Sequence, residues 1–79
     1  MPATHSLSIA DSRTYSISEL AREFGITPRA LRFYEDKDML HPARDDMTRV
    51  YSHRDRGRVK IIVRLKRVGS PLADIREIL

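Results

Sequence analysis

Not one cysteine occurs among the 79 residues. That excludes a disulfide framework and any thiolate metal site, and it fits a cytoplasmic location. No stretch approaches the roughly 18 apolar residues of a membrane span. The opening MPATHSLSIADSR has no cationic segment and no apolar run long enough for a signal peptide. Its Ser, Thr, Ala and Pro content predicts a disordered tail over residues 1–13, with His5 idle in it. Internal repeats and low-complexity segments are missing too. There is no Gly-rich phosphate loop, no nucleophile–base pair and no pair of carboxylates placed in an apolar pocket. A chain of 9.2 kDa permits one domain with one modest core, too small to enclose a substrate cavity. Catalysis is not expected. Nor is a cofactor or metal site: His5, His41 and His53 have no partner at ligand-like spacing.

What the chain does have is basic charge. Lys and Arg total 15 against 11 Asp and Glu, giving a net charge of +4 and a pI near 10.0. Such an excess fits a polyanionic partner, nucleic acid or an acidic membrane surface.

After the tail, YSIS reads as a short extended piece. Ser18 is a good N-cap for a helix beginning at Glu19, whose charge complements the positive helix end. Leu20, Ala21 and Phe24 form its apolar face, and Gly25 supplies a left-handed stop. Thr27 then caps a second helix with Pro28 at its first position. Two helices joined by Gly25, Ile26 and Thr27 have the spacing of a helix-turn-helix, the second being the recognition helix. The run HPARDDMTRVY predicts a small hairpin with Asp45 and Asp46 at or near its turn and Arg44 and Arg49 on its two arms. Beside a helix-turn-helix, a basic hairpin suggests a wing. Ser52 and Asp55 form a capping-box pattern for a third helix, which runs to about Val68 and stops at Gly69. Its apolar residues, Val59, Ile61, Ile62, Val63, Leu65 and Val68, cover a wide arc. Arg56, Lys60, Arg64 and Arg67 line the rest, either as a solvated face or as an attraction for phosphate. A fourth helix starts at Ser70-Pro71, with Leu72, Ile75 and Leu79 on one face. That pattern is still running at Leu79, which suggests a natural protein that continues further.

At about 100° per residue from Pro28, Ala30, Leu31 and Tyr34 share one arc of the second helix. Arg29, Arg32, Phe33 and Asp36 share the opposite one. An aromatic on a basic, outward arc suits a flat or charged partner. Arg29 and Arg32 are the first candidates for groove contacts, because guanidinium forks bond guanine or clamp phosphate. Asp36 is expected to orient one of them. Phe33 either lies against a sugar, a base edge or a thymine methyl, or packs beneath the wing. Tyr34 is placed to pack, with its hydroxyl available to a phosphate. Ser16, Ser18 and Thr27, near helix starts where free N–H groups point outward, are further phosphate candidates, capping being the competing role. Arg44 on the wing and Arg54 at the third helix start complete this set.

The runs YSISELAREFGITPRALRFYED, TRVYSHRDRGRVKIIVRLKRVG and PLADIREIL together resemble the N-terminal DNA-binding domain of the MerR family. The SISELA entry, the LRFYE recognition helix, TRVYS in the wing and G-S-P-L-x-x-I at the last helix match in order. The resemblance implies a mainly α, winged helix-turn-helix fold: two helices, a two-stranded wing and two further helices. The domain would span 14–79, with the helix-turn-helix at about 17–36, the wing at about 40–51 and helices at about 53–68 and 71–79. It implies a bacterial transcription regulator that binds double-stranded promoter DNA as a dimer, distorts the spacer and so serves RNA polymerase indirectly. The dimer is expected only with a C-terminal pairing helix absent from these residues. Membrane association is not expected, and the place of action would be the cytoplasm, at the nucleoid. Arg49 and Tyr51 match the R-x-Y of the family's wing and are expected at the DNA backbone. One departure is Asp38, where the family usually has Gly; Asp tolerates left-handed geometry less well, so the exit into the wing should be locally strained. Two other functions compete: a stand-alone DNA-binding module such as a recombination directionality factor, and a protein-interaction domain with a basic face.

Overall fold

The computed structural model describes residues 13–79; apart from Arg13, the expected tail lies outside the described residues. Strand β1 (Thr14–Tyr15) leads directly into α1 (Ile17–Phe24). Helix α1 starts two residues earlier than Ser18 would place it, because Ser16 is the cap. Its Oγ accepts from the Glu19 N–H at 3.0 Å, and the Glu19 carboxylate accepts from the Ser16 N–H at 2.8 Å. Ser18 has Ala21 three residues on and cannot close such a box. Gly25, with φ +66°, ends α1. Thr27 Oγ1 then accepts from the Ala30 N–H at 3.0 Å to open α2 (Pro28–Asp36).

The end of α2 carries the glycine-less turn. Asp38 adopts φ +63°. Its N–H donates to the Glu35 carbonyl at 3.0 Å, and the Met39 N–H to the Tyr34 carbonyl at 2.9 Å. This is the Schellman closure with Asp in the left-handed position, and Tyr34 and Met39 supply its apolar contact. Gly69, at φ +84°, fills the equivalent position after α3.

The hairpin pairs β2 (Ala43–Asp45) with β3 (Thr48–Ser52), placing Ala43 opposite Val50, Arg44 opposite Arg49 and Asp45 opposite Thr48. Its two-residue loop has a positive φ, +65°, at Asp46. The expected two-stranded wing gains a third strand: β1 pairs with the other edge of β3, Tyr15 opposite Tyr51, giving the order β1-β3-β2. Ser52 is both the last residue of β3 and the N-cap of α3 (His53–Arg67), closing a capping box with Asp55. Helix α4 (Leu72–Ile78) follows, with Pro71 rather than Ser70 at its cap and no side-chain capping bond.

The core sits between α1, α2, the sheet and α3. Leu20, Leu31, Val59, Ile62 and Ile75 are fully buried there with Met39, Leu40 and Tyr51. On α3 the apolar arc is narrower than the sequence suggests: Ile61 and Val68 face outward.

Candidate nucleic-acid interface

Helix α2 divides as its periodicity requires. Leu31 is 0% exposed and Tyr34 is buried, while Arg29, Arg32, Asp36 and Lys37 stand in solvent. Phe33 is 45% exposed, so it does not tuck beneath the wing. The Tyr34 ring meets it in a T-shaped arrangement, 5.9 Å between centroids, and Lys37 Nζ lies 5.5 Å from its ring. A ring packed on one side against a second aromatic and flanked by one cation offers its outer surface to a flat or apolar group.

Asp36 does not orient Arg29 or Arg32: among the described residues it makes no ion pair. The organising acid is its neighbour Glu35. One carboxylate oxygen accepts from Arg49 Nε at 2.7 Å, the other from Arg44 Nη2 at 3.3 Å. This bond holds the Arg49 guanidinium above its usual range, since Glu35 favours the charged form. Glu35 therefore ties α2 to both arms of the wing. Nothing in the periodicity of α2 singles it out; the available signal was two arginines opposed across a hairpin, which need an anion between them.

Tyr51 requires a correction. It is 0% exposed, so its side chain packs in the core instead of meeting a DNA backbone. In β3 it lies two residues from Arg49 and so on the same face of the strand, where α1 and α3 pack and the core closes over it. Its buried hydroxyl has no hydrogen-bond partner among the described residues, and burial pushes the phenol up to about 12. Tyr34 is likewise buried, which raises its phenol. The remaining candidates stand where helix starts put them. Ser16 and Thr27 are engaged as caps through their oxygens, and Ser18 and Arg54 are exposed in the first turns of α1 and α3.

Arg56 leaves the basic stripe to bind Glu23 of α1, whereas Lys60, Arg64 and Arg67 stay exposed. His53 Nδ1 lies 3.1 Å from the Tyr15 hydroxyl, and His41 Nδ1 lies 3.6 Å from Asp38. Among the described residues no cluster of His, Asp and Glu could hold a metal ion, and no helix is long and apolar enough to cross a membrane.

The model of the MerR HTH family regulatory proteins matches residues 15–79. The chain belongs to the MerR family. It is 37% identical over 67 residues to the HTH-type transcriptional regulator ZntR of Escherichia coli K12, covering 82% of this chain and 48% of that protein. To the HTH-type transcriptional regulator CueR of Yersinia pestis it is 32% identical over 66 residues, 81% of this chain and 48% of that one. Among solved structures it resembles HiNmlR, a MerR family regulator lacking the sensor domain, bound to promoter DNA. That match has a TM-score of 0.75 and 29% identity over 84% of this chain and 52% of the other. A MerR family transcriptional regulator from Bacillus cereus matches with a TM-score of 0.75 and 31% identity, over 84% and 51% of the two chains. The chain thus spans about half the length of the MerR relatives it matches. These relatives are transcriptional regulators.

Proposed function

We propose that these residues are the DNA-binding part of a bacterial MerR-type transcription regulator. Helix α2 enters the major groove and the wing lies along the adjoining phosphate backbone. The observation that carries this reading is the split of α2: Arg29, Arg32 and Phe33 project outward from the helix whose other side fixes Leu31 and Tyr34 in the core. Rigid anchoring of one face gives the other the fixed register that base readout needs. HiNmlR, of the same family and fold, was solved on promoter DNA, which supports the same partner here. In the full protein, two copies would bind a near-palindromic promoter as a dimer and distort its spacer, through which RNA polymerase is served.

The test is selection of duplexes from a randomised pool, followed by fluorescence anisotropy of the winning sequence across a salt series. A preferred sequence is expected, with log K falling against log salt by about 0.9 per phosphate neutralised. Arg32→Ala should cost roughly 1–3 kcal/mol on the selected site and flatten its preference, with an unchanged melting temperature. Binding without sequence preference at every salt concentration would defeat the reading.

A further inference from the structure

Glu35 has one carboxylate and two arginines, and it holds them unequally. The Arg49 bond is short, 2.7 Å, with that side chain 24% exposed; the Arg44 bond is 3.3 Å, with that side chain 51% exposed. Glu35 itself is mostly shielded, at 17%. Arg44 and Arg49 also face each other directly across the hairpin, where two like charges repel unless an anion is shared between them. Counting the three groups, the junction keeps one positive charge in excess. Arg32 belongs to the same neighbourhood, since its charge reaches the buried phenol of Tyr51 together with those of Arg49 and Glu35.

We infer that Glu35 is a positioning residue of the DNA-binding surface, holding Arg49 as a fixed strut between α2 and the wing while releasing Arg44 to a phosphate of the bound duplex. The inference rests on the DNA-binding reading above and sharpens it, because it splits two arginines that the sequence treats alike. Exchanging one charge-assisted bond for another makes release of the exposed, longer-bonded Arg44 nearly neutral, whereas Arg49 would have to abandon a shorter bond in a drier place. A wing pinned this way presents Arg44 at a set distance from Arg32, so that both meet the backbone and groove of one duplex in a fixed register.

The experiment uses the 79-residue chain and a fluorescein-labelled duplex of mixed sequence, titrated across a salt series, with Arg44→Ala, Arg49→Ala, Arg49→Lys and Glu35→Gln compared below their melting temperatures. Binding by the unaltered chain checks the DNA-binding reading separately; only if it binds do the variants speak to Glu35. Arg44→Ala is expected to reduce the salt slope by about 0.9, one phosphate. Arg49→Ala leaves Glu35 with Arg44 as its remaining cation and should weaken binding by holding Arg44 back, whereas Arg49→Lys, which keeps a cation beside Glu35, should retain the slope. Glu35→Gln should bind mixed-sequence DNA more tightly at low salt, since the anion competing for Arg44 is gone. A side-chain NMR readout needs no comparison of stabilities: the Arg49 Nε–H resonance should stay sharp and unshifted when DNA is added. A salt slope in Arg44→Ala equal to that of the unaltered chain, or an Arg49 Nε–H signal that moves with DNA, would overturn the inference.

Discussion

Arg56 of α3 grips Glu23 of α1 with two donors, Nε at 3.0 Å and Nη2, while its guanidinium lies 5.8 Å from the ring centroids of both Tyr15 and Phe24. One side chain thereby joins the start of α3, the first strand and the first helix. Arg56→Ala should lower stability by roughly 1 kcal/mol, mostly through lost contact with the two rings, because the ion pair itself is partly solvated.

The same pair sets a pH dependence. The hydrogen bond from Arg56, against a smaller opposing effect of burial, holds the Glu23 carboxyl below its usual 4.5. The unfolded chain therefore takes up this proton first. The stabilisation is complete above about pH 4.5 and fades as pH falls through the lower folded value. Solvent screening keeps it small. Thermal melts of the unaltered chain and of Glu23→Gln should differ at neutral pH and draw together as the solution is acidified below the usual carboxylate range.

Ser16→Ala should cost about 1 kcal/mol, since it removes the oxygen that accepts from Glu19 and leaves an N-terminal N–H of α1 to solvent. Ser18→Ala, inside the helix, should leave the melting temperature unchanged. Equal effects from the two would place the cap elsewhere.

Asp38 holds a left-handed φ of +63° where glycine would be unstrained. Its 3.6 Å contact with His41 is largely exposed and adds little. Asp38→Gly is therefore expected to stabilise by about 0.5–1 kcal/mol, raising the melting temperature by roughly 2–8 °C. Asp38→Ala, with no local hydrogen bonding and the same strain, should lower it.

Tyr51→Phe removes a buried hydroxyl that has no protein partner among the described residues. It should be neutral or stabilising, by up to about 1–3 kcal/mol. The folded phenol titrates at about 12 against 10.0 for an unburied one, so the unfolded chain loses its proton first. Stability due to Tyr51 is complete below pH 10 and is lost as pH rises through about 12. Denaturant melts in that window should show a decline that Tyr51→Phe reduces.

Signals confined to a few neighbouring residues were legible in the sequence. Thr27 before Pro28, Ser52 three residues before Asp55, and the glycines at 25 and 69 each act within one turn, and the recognition helix sorted its faces by its own period. Ser16 was also legible, since Glu19 stands at the capping-box distance, but the nearby hydroxyl of Ser18, directly before an acidic residue, competed for the role although Ala21 denies it the box. What local pattern could not yield were the long-range pairings. Tyr51 reads as a wing residue until β1 is seen to pair with β3 and bring Tyr15 opposite it. Glu35 gains its importance only when the hairpin folds back onto α2. Asp36, one residue further on, has the same charge and shares the outward arc with Arg29 and Arg32, and that shared arc favoured it over Glu35.

Ser52 leaves the hairpin no slack. Since the strand's final residue is already the next helix's cap, any tilt imposed on the exposed tip at Met47 has no hinge in which to dissipate before it reaches the first turn of α3. The junction is closed by Asp55 itself, whose carboxylate accepts from both the N–H and the hydroxyl of Ser52, so the strand's last residue and the helix's first turn share one set of bonds.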